Sequence, residues 1–159
     1  MEAHAAGSEG LERRPWFEPR PDQHVWSINV LLVEDDAADA SLIVNILKRH
    51  PNVATAHAAN APDMVLNQLA VGQMEPDLIL LDIHMPRING FTFLERLRLI
   101  PSMANVAVVF LITSRLAKDV LAARESTASS YLIKPDTYAE LQMRLDQTIK
   151  RAMSGGWSK

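Results

Sequence analysis

The chain has 159 residues, 48% of them hydrophobic and 22% charged, with a net charge of -3 and no cysteine. This suits one domain with a proper core and leaves no electrostatic footprint for nucleic acid. It also excludes disulfides, thiolate metal sites and a Cys nucleophile, and fits a reducing cytoplasm.

Residues 1–27 lack apolar periodicity and carry Pro15, Pro19 and Pro21, so they are expected to form a partly ordered extension held by one or two of Trp16, Phe17 and Trp26. The opening MEAHAAGSEGLERR lacks the basic start and apolar centre of a signal peptide. From Ile28, INVLLVE reads as a first buried strand. Asp36 caps the helix that follows, which places Leu42, Ile43, Ile46 and Leu47 at helical spacing and stops at His50 and Pro51. VATAHAA is a short second strand, and Asn60 with Asp63 resembles an N-cap and capping-box acid ahead of MVLNQLAV. LILLD, preceded by Pro76, is a third strand with no polar face, hence covered on both sides. FTFLERLRLI, RLAKDVLAARE and YAELQMRLDQTIKRAM are helices, the last with Leu141, Leu145 and Ile149 inward; NVAVVFLIT and SYLIK are the strands between them. The apolar run VAVVFLI is far too short to cross a bilayer.

Strands alternating with helices imply a parallel sheet with helices on both faces, because parallel neighbours need crossover connections. Ligands of such folds bind beyond the carboxyl ends of the strands. The residues there are Glu34, Asp35 and Asp36 after the first strand, Asp82 at the end of the third, Thr113 and Ser114 after the fourth, and Lys134 with Pro135 after the fifth. Converging carboxylates raise one another's pKa unless protons or a cation relieve them. A hard divalent ion such as Mg²⁺ suits these oxygen donors and leaves room for a phosphoryl oxygen. Lys134 can then reach the Asp82 carboxylate or a phosphoryl group, and a carboxylate flanked by cations is a plausible phosphoryl acceptor.

The set LLVEDD, LILLDIHMPRING, LITS and SYLIKP resembles the receiver domain of two-component response regulators, of the single-domain, chemotaxis-regulator-like kind, over about residues 28–152. Each piece alone is common; their order and placement at strand ends are specific. The resemblance implies a flavodoxin-like, doubly wound α/β fold, a three-layer sandwich of five strands and five helices. It further implies that Asp82 accepts a phosphoryl group from a sensor histidine kinase or phosphotransfer protein. Mg²⁺ would be held by Asp35, Asp82 and the His84 backbone carbonyl, with Glu34 acting through water. Lys134 would pair with the phosphoryl group, joined to Pro135 by a cis bond. Thr113 and Tyr131 would form the switch that alters the output face, read by a downstream protein. The Pro86–Gly90 break would let the chain curl so that a carbonyl faces the metal. His84 and Arg115 occupy the positions that tune acyl phosphate hydrolysis in the family.

Thr127 and Ala128 stand where many receivers have Gly-Ala, so the turn there loses glycine's free φ, and the small, polar ARESTASS makes its helix and loop unusual. Residues 153–159 are read as a short tail, so output would pass through a partner rather than through an attached domain. No membrane insertion is expected, and Trp16, Phe17 or Trp26 could contribute to a homodimer. The competing reading is a phosphorylation-independent interaction or dimerisation module. A phosphatase ranks last, because His84 stands where a second Asp would serve as general acid. His4, His24, His50 and His57 show no ligand spacing.

Overall fold

A computed structural model describes residues 26–113 and 116–157. Five strands, β1 (Ile28–Val33), β2 (Val53–Ala59), β3 (Leu78–Asp82), β4 (Ala107–Ile112) and β5 (Ser130–Ile133), form one parallel sheet in the order β2-β1-β3-β4-β5. Between and after them run α1 (Ala37–Arg49), α2 (Pro62–Ala70), α3 (Gly90–Arg98), α4 (Ala117–Glu125) and α5 (Tyr138–Ser154), with a 3₁₀ turn at Pro101–Met103. This is the flavodoxin-like α/β fold, and its sheet order reverses direction between β1 and β3.

The layers follow from the two-residue period of a strand. Leu31, Val33, Ile79, Leu81, Val108, Phe110 and Ile112 face one side, where they pack with Val65 and Leu69 of α2, Phe93, Leu94 and Leu97 of α3 and Ala123 of α4. Their neighbours Val30, Leu32, Leu78, Leu80, Val109 and Leu111 face the other side, against Ile43, Ile46 and Leu47 of α1 and Leu141, Leu145 and Ile149 of α5. Every residue of β3 is buried, as its unbroken apolar run requires.

Several boundaries differ from the sequence reading. Asn60 is not the cap of α2: that position is Ala61, with no side-chain bond, because Pro62 enters at the first turn with φ already set. Asp36 does cap α1, its side chain accepting from the Asp39 N–H at 2.9 Å, and His50 ends that helix. Of the apolar set on α1, Leu42 is 38% exposed and outside the core, because the stripe is narrower than four residues. At Thr127 glycine's freedom is not used, since Arg87 is the one non-glycine with positive φ among the described residues. Instead Arg98 holds the turn, donating to the Thr127 carbonyl at 2.9 Å and Oγ1 at 3.2 Å and to the carbonyls of Met103 and Val106. The Lys134–Pro135 bond is not cis; no described peptide bond is. Trans is the lower-energy form even for X-Pro, by roughly 0.5–1 kcal/mol.

Trp16 and Phe17 lie outside the described residues, as do Ser114 and Arg115. Trp26 is exposed, and its carbonyl accepts from Asn52 Nδ2 at 3.0 Å.

Candidate functional site

The parallel strands bring Glu34, Asp35, Asp82, Thr113 and Lys134 to one edge of the sheet. Carboxylate oxygens of Glu34, Asp35 and Asp82 all lie within 4.8 Å of one another. Glu34 and Asp82 are buried and Asp35 is exposed, so the cluster opens to solvent on the Asp35 side. Burial, and then the charge of Glu34, push the Asp82 carboxyl up from 3.8 to about 7, against a smaller lowering by Lys134.

Lys134 is placed differently from expectation. Its Nζ donates to Glu34 Oε2 at 2.7 Å and to Asp39 Oδ2 at 3.0 Å, rather than to Asp82. The reason is depth: the Glu34 side chain is only 1% exposed, so its charge has the greatest need of a partner. Burial by itself lowers the Lys134 ammonium, but its bonds to Glu34 and Asp39 and the charge of Asp82 outweigh this and hold it above the ordinary lysine range. The other Glu34 oxygen, Oε1, accepts from the Asp36 N–H at 3.3 Å.

The loop after β3 is shaped by backbone contacts. Ile88 N–H bonds the Pro86 carbonyl and Gly90 N–H bonds the Ile83 carbonyl, both at 2.8 Å, while Arg87 takes φ 71°. Asn89 then caps α3 through the Thr92 N–H. A Cβ at Gly90 would lie 2.5 Å from the Asp82 carbonyl oxygen and 2.9 Å from Ile83 Cα, so glycine is needed for close approach. Gly90→Ala is therefore expected to cost about 1–3 kcal/mol, since backbone must shift. Equilibrium urea unfolding measures it, and a midpoint equal to that of the native chain would refute the crowding.

Thr113 is exposed just past β4, and Tyr131 is half-buried on β5 beneath the Arg124 guanidinium, 5.8 Å from its ring centroid. His84 turns its ring to α4, Nε2 lying 3.0 Å from Asp119 Oδ2. Two site residues escaped the sequence reading. Asp39 sits in the first turn of α1, three residues after the Asp36 cap, where an acid reads as a partner of the helix N-terminus. Asp119 sits in the first turn of α4, where an acid reads as a helix-dipole partner.

Three carboxylates at one sheet edge beside a lysine define an acidic, oxygen-donor pocket at the carboxyl end of a doubly wound sheet. The chain belongs to the response regulator receiver domain family of two-component systems, whose model matches residues 30–146. It is 30% identical over 123 residues, 77% of its length, to the DNA-binding dual master transcriptional regulator RpaA of Synechocystis sp., and covers 49% of that protein. It is 35% identical over 111 residues to protein-glutamate methylesterase/protein-glutamine glutaminase 3 of Burkholderia lata, covering 70% of this chain and 30% of that protein. The chain thus spans less than half the length of these relatives. Among solved structures, the Mn²⁺-bound response regulator Rcp1 superposes with TM-score 0.66 at 29% identity, covering 78% of this chain and 92% of that one. The phosphorylated cyanobacterial phytochrome response regulator RcpA superposes with TM-score 0.69 at 24% identity over 81% of this chain and 96% of that one, a likeness of fold.

Proposed function

We propose that this receiver is a phosphorylation switch in which Asp82 takes a phosphoryl group from the phosphohistidine of a sensor kinase or a phosphotransfer protein. The observation that carries the reading is the cluster itself, in which a buried carboxylate, held near pKa 7 by burial and Glu34, lies within 4.8 Å of two further acids. Such a group is only about half ionised at neutral pH until a cation neutralises its surroundings. The three clustered carboxylates suit a hard divalent ion, for which Asp35 and Asp82 would be direct ligands, the His84 carbonyl would complete the protein donors and Glu34 would act through water. Bound Mg²⁺ would neutralise charge on the phosphoryl oxygens and lower the Asp82 pKa.

In this reading an Asp82 oxygen attacks phosphorus as the N–P bond of the donor histidine breaks, giving an acyl phosphate and a neutral imidazole. Lys134, now on Glu34 and Asp39, exchanges a carboxylate for a phosphoryl oxygen. Thr113 donates its hydroxyl to another, and Tyr131 moves inward behind it. The altered α4–β5–α5 surface is what a downstream protein reads, the phosphoryl group biasing a two-state equilibrium. The protein acts as a switch and not as an enzyme on a separate substrate, and works in the cytoplasm; among the described residues no helix is long and apolar enough to cross a membrane.

The test is intact-protein mass after incubation with acetyl phosphate, with and without Mg²⁺, on the native chain and on Asp82→Asn. One added phosphoryl mass that requires Mg²⁺ and is absent from the variant is expected. No adduct, together with no beryllofluoride complex, would replace the switch with a phosphorylation-independent interaction module.

A further inference from the structure

One buried charge has no part in the proposed chemistry. Asp119 is 6% exposed on α4, and its Oδ2 lies 3.0 Å from Nε2 of His84, whose ring is 59% exposed two residues beyond Asp82. A carboxylate accepts only, so the Nε2 hydrogen of His84 is the one donated. The pair spans 35 residues and joins two different elements, the loop after β3 and the first turn of α4. The helix N-terminus favours the Asp119 charge, which makes that side the fixed end of the contact and the exposed imidazole the movable one.

We infer that Asp119 is a positioning residue: it tethers the His84 imidazole toward α4 and thereby slows hydrolysis of the phosphoryl group on Asp82. The inference rests on the phosphorylation reading. Hydrolysis needs a water in line with the P–O bond to Asp82. The water oxygen bonds to phosphorus, the P–O electron pair returns to the Asp82 carboxylate, and the water's proton leaves with phosphate or solvent. An exposed imidazole two residues beyond Asp82 can orient that water by hydrogen bonding. With Nε2 committed to Asp119, that nitrogen is withheld from the water, and the ring stays on the α4 side. Because the anchor lies on α4, a protein that moves this helix would alter the phosphoryl lifetime as well as read it, since the coupling is reciprocal.

The experiment phosphorylates the full chain with acetyl phosphate and Mg²⁺, removes the donor by desalting, and follows the remaining phosphoprotein by intact mass. Asp119→Ala is expected to raise the first-order loss about threefold to tenfold, equivalent to one hydrogen bond's effect on a barrier. Asp119→Asn, which keeps an oxygen acceptor, is expected to return the rate to within about twofold of native and guards against misfolding. In a His84→Ala background Asp119→Ala should have no effect, which a merely structural role would not produce. Equal rates for native and Asp119→Ala, or an acceleration that persists without His84, would overturn the tether while leaving the switch intact. A native chain that takes no phosphoryl mass would overturn the switch and the tether together.

Discussion

Asp82→Asn is expected to be more stable than the native chain at pH 7 in the presence of EDTA. Folding raises the Asp82 pKa from 3.8 to about 7, so the folded state binds this proton more tightly than the unfolded state does. Stability then falls as pH rises between those two values, because there the unfolded chain has released a proton that the folded chain retains. The contribution is complete below about pH 4 and gone above about pH 7, where the native protein keeps a carboxylate in a pocket that opposes it. Asparagine has no such proton. The variant should therefore lose this slope and gain on the order of 2–4 kcal/mol at neutral pH. Urea unfolding from about pH 4 to about pH 8 measures both curves across the window in which the two states differ in bound protons. Curves that run parallel throughout would show that Asp82 is not held in its protonated form by its surroundings. Adding Mg²⁺ should narrow the gap at neutral pH, since a cation bound by the folded state stabilises it by mass action.

Removing the lysine should have the opposite sign and a comparable size. Lys134 Nζ is the cation bonded to Glu34 Oε2, and the Glu34 side chain is 1% exposed. Lys134→Met keeps an apolar stem of similar reach but leaves a buried carboxylate without its partner, at a cost of about 3–5 kcal/mol. Asp39, at 43% exposure, can return to water and adds little to this figure. The cycle with Glu34→Gln separates charge from packing. If the charge argument holds, Lys134→Met costs far less in the Glu34→Gln background, because no buried charge is stranded there. Equal costs in both backgrounds would assign the effect to the lost stem instead. Phosphoryl uptake should also fall in Lys134→Met, independently of its stability, when assayed well below its melting temperature.

The central strands and the edge they share were legible in the sequence because β1, β3 and β4 are near-continuous apolar runs, each closed by a polar residue, Glu34, Asp82 and Thr113. That pattern has one physical meaning in a parallel sheet, burial on both faces and function at the carboxyl ends. Helix α1 was legible to its caps, since Asp36 and His50 act through their immediate neighbours. The start of α2 was not, because Asn60 and Pro62 offered competing signals and the preset φ of proline prevailed. The turn at Thr127 was not legible either. Its order comes from Arg98, which is distant in sequence and reaches three carbonyl groups at once.

The sequence by itself determined which elements form, which residues stand at their carboxyl ends, and which family these motifs belong to. The tertiary structure alone decided the partnerships among those residues: Lys134 with Glu34 and Asp39, and His84 with Asp119. The physical reason is that an apolar pattern is a local property, repeated along one strand or helix. The strength of a charge's demand for a partner depends on how far it is withdrawn from water, and that depth exists only once the sheet and its two helical layers have closed around it.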